Sequence, residues 1–134
     1  MGMEDDVREF HRRFGWPDGD GPPALPAPDV ARFRVAFLRE EADELEGALA
    51  GGDLVGAVDA LVDLAYVALG TALHLGVGPG RWRACWAAVH AANMAKVAVA
   101  SASESRRGHA MDARKPPGWV GPEAAIAEVL KESP

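Results

Sequence analysis

The chain is poor in cysteine, aromatic residues and β-branched runs, and a long stretch of it has no basic residue at all. Its single cysteine, Cys85, cannot form an intrachain disulfide, which suits a reducing compartment, and it reads as a small apolar residue between Trp82 and Trp86. Few β-branched runs amid abundant Ala and Leu favour helix over sheet, so the expected fold class is all-α. The opening MGMEDDVREF lacks the basic start and apolar run of a signal peptide. No apolar stretch reaches membrane-spanning length without a charge or a helix break. The expectation is a cytoplasmic protein without a membrane partner. A formal charge of −6 argues against a nucleic-acid polymer as partner, and 134 residues suit one domain, 1–134, with a core of its own.

What is present is acid. Residues 40–80 hold Glu40, Glu41, Asp43, Glu44, Glu46, Asp53, Asp59 and Asp63 with no Lys or Arg among them. Carboxylates that converge inside a helical core raise one another's pKa or demand a cation, and a hard divalent ion is the natural one. Asp29 reads as the N-cap of a helix reaching about residue 50 and closed by Gly51 and Gly52. Rotation at about 100° per residue gathers Val30, Phe37, Leu38, Leu45, Ala48 and Leu49 into one apolar stripe. Glu41 falls inside that stripe, Glu44 near its edge and Glu40 further round, while Arg32, Arg39, Asp43 and Glu46 point to solvent. Asp53 reads as the cap of the next helix, to about residue 75, which is apolar on nearly every side except a strip carrying Asp59, Asp63 and Tyr66. Such a helix is expected to be central and to leave part of its surface for another subunit, most simply in a homodimer.

Before these helices, residues 4–14 predict a short amphipathic helix with Val7, Phe10 and Phe14 on its inner edge. The Pro- and Gly-rich segment 15–28 cannot be regular helix, and it reads as a flap over the site anchored by Trp16 and Leu25. After Gly78, Pro79 and Gly80, a fourth helix is expected over 81–100, packing through Trp82, Trp86, Val89 and Val97. It would carry His90, Asn93 and Lys96 at three-residue steps, and an Asn and a Lys one turn apart suit phosphate oxygens. Residues 101–118 read as a basic loop with Arg106, Arg107, Arg114 and Lys115, able to clamp a polyphosphate. Pro122 opens a short last helix to about residue 131, packing through Ala125, Ile126, Val129 and Leu130.

Four runs carry a resemblance: EExxEL at 40–45, DALVDLAYVALGTALHLG at 59–76, HAANMAK at 90–96 and KPPGW at 115–119. In this order they resemble the MazG-like all-α nucleoside triphosphate pyrophosphohydrolases, which include phosphoribosyl-ATP pyrophosphohydrolase and dimeric dUTPases. The resemblance implies a four-helix core bundle with a Pro-rich loop after the first helix and a short C-terminal helix. It implies hydrolysis of a nucleoside triphosphate, non-canonical or dUTP-like substrates included, at the α–β phosphoanhydride with Mg²⁺ or Mn²⁺, in a homodimer or homotetramer. The family's ExxE pair is matched by Glu41 and Glu44. Its ExxD pair is matched only at Asp63, because Ala60 stands where glutamate is expected; aligning on Asp59 instead puts Gly56 there. Asp59 is the obvious replacement ligand. Glu40 is the candidate general base, Asn93, Lys96, Arg107 and Lys115 the candidate phosphate contacts, and Trp16, Phe10 and Tyr66 the candidate base-binding surface. Two other readings compete. A catalytically weak or silent binding module would follow from the missing glutamate, whereas a di-iron bundle lacks its Glu-x-x-His pairs.

Overall fold

Helix α1 (Met3–Phe14) starts where the Gly2 N–H donates to the Asp5 carboxylate at 2.9 Å, and it ends at Gly15 in the left-handed region with φ 71°. Acids in its first turn and His11, Arg12 and Arg13 in its last complement the helix dipole. The inner edge is rotated from the expected one. Val7 and His11, one turn apart, are buried, whereas Phe10 and Phe14 stay partly exposed and form an aromatic rim with Trp16.

Helix α2 (Pro28–Ala50) begins at Ala27, not at the expected cap Asp29. Pro28 takes the first helical position, where its missing N–H costs nothing, and Asp29 falls in the first turn. Helix α3 (Leu54–His74) begins as expected, with the Asp53 carboxylate accepting the Gly56 N–H at 2.9 Å. Asp53→Ala is expected to cost about 1 kcal/mol in urea unfolding, since this cap satisfies that donor. Both α1 and α2 pack on α3, and Val7, Leu69 and Leu73 form a small core with Tyr66 and Trp82 against it. By length and composition α3 is apolar enough to cross a membrane, as many core helices are, but it carries Asp59 and Asp63. Its Val55, Val58, Leu61 and Val62 side chains are exposed, as is Leu49 of the expected α2 stripe.

The Pro-rich segment is a strap more than a flap. Leu25 anchors nothing, being 90% exposed. Backbone contacts do the anchoring: the Ala24 N–H donates to the Leu75 carbonyl at 3.0 Å, and Arg81 donates to the Gly21 and Gly76 carbonyls at 3.2 and 3.3 Å. Gly19 has φ 84°, and a Cβ there would lie 2.5 Å from Gly78 Cα, so only glycine lets the strap lie down on the end of α3.

The computed structural model describes residues 1–132, which divide into two compact units at 82/83. Helix α4 (Pro79–Met94) begins in the first unit and runs into the second. It stops at Met94, short of the expected residue 100, and Lys96 sits in a turn closed by its N–H on the Asn93 carbonyl at 3.1 Å. The alternating Val97-Ala98-Val99 then favours extended chain. Strand β1 (Val97–Ala98) pairs antiparallel with β2 (Ala113–Arg114), Val97 opposite Arg114, so the expected loop over 101–118 contains a strand and a 3₁₀ turn at Ala102–Glu104. Val99 is buried, whereas Trp86, Val89 and Val97 are partly or largely exposed instead of packed. Helix α5 (Glu123–Lys131) follows Pro122 as the sequence indicates, with Ile126, Val129 and Leu130 half-buried and Ala125 exposed. Five helices and one two-stranded ladder make the described chain predominantly helical, with a short C-terminal helix.

Candidate active site

Helices α2 and α3 bring three carboxylates together. One oxygen each from Glu41, Glu44 and Asp63 lies within 4.8 Å of the others. Glu41 and Glu44 are three residues apart on one helix face, and Asp63 is presented from the facing helix. Glu41 is only 7% exposed, Asp63 is half-buried and Glu44 is at the surface. The set therefore runs from interior to solvent. Asp59 and Glu40, the other two carboxylates expected to converge, are exposed and lie outside this cluster.

The electrostatics show what crowding does. Burial, with help from Glu44, Asp63 and Glu40, pushes the Glu41 carboxyl up to about 7. Burial and the charges of Asp59 and Glu44 raise Asp63. Glu41 Oε2 is buried with no hydrogen-bond partner among the described residues. An orphaned oxygen among oxygen donors is what a hard divalent cation would satisfy, and the 4.8 Å limit is close to twice a metal–oxygen bond of about 2.1–2.5 Å. The residues present fit such an ion. They would leave positions open for phosphate oxygens, as Mg²⁺ sites usually do.

Beside the carboxylates lies a cavity of about 430 Å³ lined by Phe10, His11, Trp16, Arg34, Phe37, Glu41, Asp63, Tyr66 and Val67. All three residues expected to face the base, Trp16, Phe10 and Tyr66, are therefore on the cavity that holds Glu41 and Asp63. Phe10 meets Tyr66 edge-on at 5.5 Å and Trp16 at 5.6 Å. Flat, partly exposed rings beside the three carboxylates offer a stacking surface for a planar ligand.

Sequence reasoning missed Arg34 and His11. Arg34 is 6% exposed; its Nε–H donates to Thr71 Oγ1 at 3.0 Å and its Nη2 to the Val67 carbonyl at 2.9 Å. Phe33 and Phe37 flank it. His11 donates from Nδ1 to the Pro17 carbonyl at 2.7 Å, and its ring meets His74 at 5.6 Å. Burial chiefly, and then Arg34, lowers both imidazoles from their usual range. The signal was in the register: Arg34, Phe37 and Glu41 follow at three and then four residues, so Arg34 shares the face of Glu41. Gly70 makes room for both new residues, because a Cβ there would meet Arg34 Nη2 at 2.7 Å and His11 Nε2 at 2.8 Å. Gly→Ala inside a helix ordinarily stabilises. Here Gly70→Ala is expected to destabilise by about 1–3 kcal/mol, read as a lower melting temperature.

In the second unit, Lys96 and Lys115 both approach the Trp119 ring, at 5.4 and 4.8 Å, and the indole N–H donates to the Ala92 carbonyl at 2.7 Å. Arg107 is paired with Asp112 at 3.2 Å, and Arg114 with Glu104 at 3.9 Å. Asn93 is exposed at the end of α4. Cys85 is half-buried, and burial raises its thiol pKa, which suits the inert role read from the sequence.

The family model of phosphoribosyl-ATP pyrophosphohydrolase matches residues 7–93, more than half of the chain and all of the carboxylates and cavity residues just described. The chain belongs to the phosphoribosyl-ATP pyrophosphohydrolase family. That places it in the MazG-like nucleoside triphosphate pyrophosphohydrolase superfamily and gives it pyrophosphohydrolase chemistry on a nucleotide-like substrate. A search of curated proteins found no match. Ala60, where the resemblance leads one to expect a glutamate, is 2% exposed, part of the core and not of the cavity.

Proposed function

We propose that the protein hydrolyses a nucleoside triphosphate at the α–β phosphoanhydride, releasing nucleoside monophosphate and pyrophosphate, with Mg²⁺ or Mn²⁺ as cofactor. The observation that carries this reading is the juxtaposition of the Glu41–Glu44–Asp63 cluster with an aromatic-lined cavity on one pair of helices. An ion bound there would neutralise phosphate charge and acidify an attacking water. Glu41, Glu44 and Asp63 would hold it, with the charge of Asp59 acting on Asp63. Glu40 is the proposed base: as water oxygen bonds to the α-phosphorus, Glu40 takes the proton and the bond to the bridging oxygen breaks, freeing pyrophosphate. Phe10, Trp16 and Tyr66 hold the base and exclude water from the inner cavity. Phosphate contacts by Asn93, Lys96, Arg107 and Lys115 are proposed on the family resemblance alone. The exposed Val55, Val58, Leu61 and Val62 face of α3 is proposed to be covered by further copies of the chain, in a homodimer or homotetramer.

A second reading, a nucleotide-binding module with little or no turnover, is favoured by one observation, the core alanine at position 60 where the family pattern has a carboxylate. A panel of canonical and modified nucleoside triphosphates, assayed for pyrophosphate with Mg²⁺, Mn²⁺ or chelator, separates the two. Metal-dependent release supports the hydrolase. Binding without release supports the module.

A further inference from the structure

Arg34 is a buried cation without an ionic partner among the described residues. Burial lowers its pKa, no carboxylate of the described residues lies within ion-pair distance of it, and its neighbour His11 is held toward the neutral form. Burying an unpaired guanidinium is costly, and a cleft is where such a cost is tolerated for function. Two of its donors are used, Nε–H on Thr71 and Nη2 on the Val67 carbonyl; these fix the plane of the guanidinium, and Nη1 has no bond to any described residue. The group lines the same cavity as Phe10, Trp16 and Tyr66.

Its place along α2 decides between phosphate and base. Arg34 lies seven residues before Glu41, about 10 Å along the helix axis, with Phe37 between them. Phosphates drawn to the carboxylate-held ion stay at the Glu41 end, and the aromatic rings take the middle. The far edge of the base then reaches Arg34.

We propose that Arg34 reads the base, accepting nucleotides whose base carries an oxo group at its far edge and rejecting those with an amino group there. Guanidinium donates only. Uracil, thymine and guanine offer it an oxygen acceptor at that edge; adenine and cytosine turn an amino donor toward it. The inference rests on the hydrolase reading above and adds the substrate class to it.

The test is kcat/KM for dUTP, dTTP, dGTP, dATP and dCTP in the wild type and in Arg34→Gln, with melting curves to establish folding. Expected is a wild-type preference for the three oxo bases, and in Arg34→Gln a loss of about 10–100-fold on those three, mainly through KM, with dATP and dCTP changed little. Equal losses on all five, or a wild type indifferent to the base, overturns the proposal while leaving the hydrolase reading standing. If Arg34→Gln does not fold, Arg34→Lys, which keeps the charge but not the fork, serves with the same expectation. If no triphosphate is turned over, the hydrolase reading has failed, and binding of dUMP against dAMP decides for Arg34 without turnover. A dUMP preference lost in the variant supports its role, and equal binding overturns it.

Discussion

Glu41→Gln and Asp63→Asn are each expected to lower kcat/KM for pyrophosphate release at least about 100-fold, since even outer-shell partners of a metal site cost 10–100-fold. Both substitutions keep the side-chain volume and remove the charge that would hold the ion. Neither should harm the fold. Glu41 is crowded by Glu44, Asp63 and Glu40, so neutralising it relieves repulsion in the metal-free protein. Asp43→Asn and Glu46→Gln, on exposed positions of the same helix, are the controls and should leave the rate within about twofold, as surface changes ordinarily do. Measuring all four with melting temperatures separates lost chemistry from lost structure. Equal losses in the controls would locate the effect in the helix and not in the cluster.

The melting temperature of the metal-free protein is expected to respond to pH through Glu41, and added Mn²⁺ is expected to reverse that response. The carboxyl is raised from an ordinary 4.5 to about 7 by burial and by its acidic neighbours. The folded state therefore holds this proton more tightly than the unfolded chain does. The stability it contributes is fully present below about pH 4.5 and is lost as pH rises through about 7. His11 and His74 act in the opposite sense, because their lowered pKa values make the fold lose stability as pH falls below the usual imidazole value of 6.5. The Glu41 contribution is therefore read as a difference between proteins. From pH 5 to pH 8, Glu41→Gln should gain in melting temperature relative to wild type when no metal is present. Mn²⁺ should raise the wild-type melting temperature more at pH 8 than at pH 5, since the ion needs the ionised carboxylate, and should do little for Glu41→Gln. A metal effect independent of pH, or equal in the variant, would speak against Glu41 as a ligand.

The helices could be read from the sequence because they depend on local periodicity. Asp53 as a cap and Gly51 and Gly76 as stops follow from local spacing, whereas the partnership of Glu41 and Glu44 with Asp63 was implied by the family resemblance. What failed depended on tertiary competition. Helix α4 loses its last turn because Val97 and Val99 find a partner strand some fifteen residues further on, which no local window displays. Leu25 looked like an anchor by hydrophobicity, but the strap is held by backbone groups and by the close approach of Gly19 to Gly78. Arg34 was hidden by its type: a charged residue on a buried face is read as solvated unless its donors are traced, and here they go to Thr71 and Val67 on the next helix. His11 displaced Phe10 inward for a related reason, since its Nδ1–H finds the Pro17 carbonyl of the strap.

The most direct test of a carboxylate-held nucleotide site is the product pair. A nucleoside triphosphate incubated with the protein and Mg²⁺, followed by ³¹P NMR, should yield monophosphate and pyrophosphate in equal amounts, with the signal abolished by chelator and by Asp63→Asn. Diphosphate with inorganic phosphate, or release that persists without metal, would contradict the account.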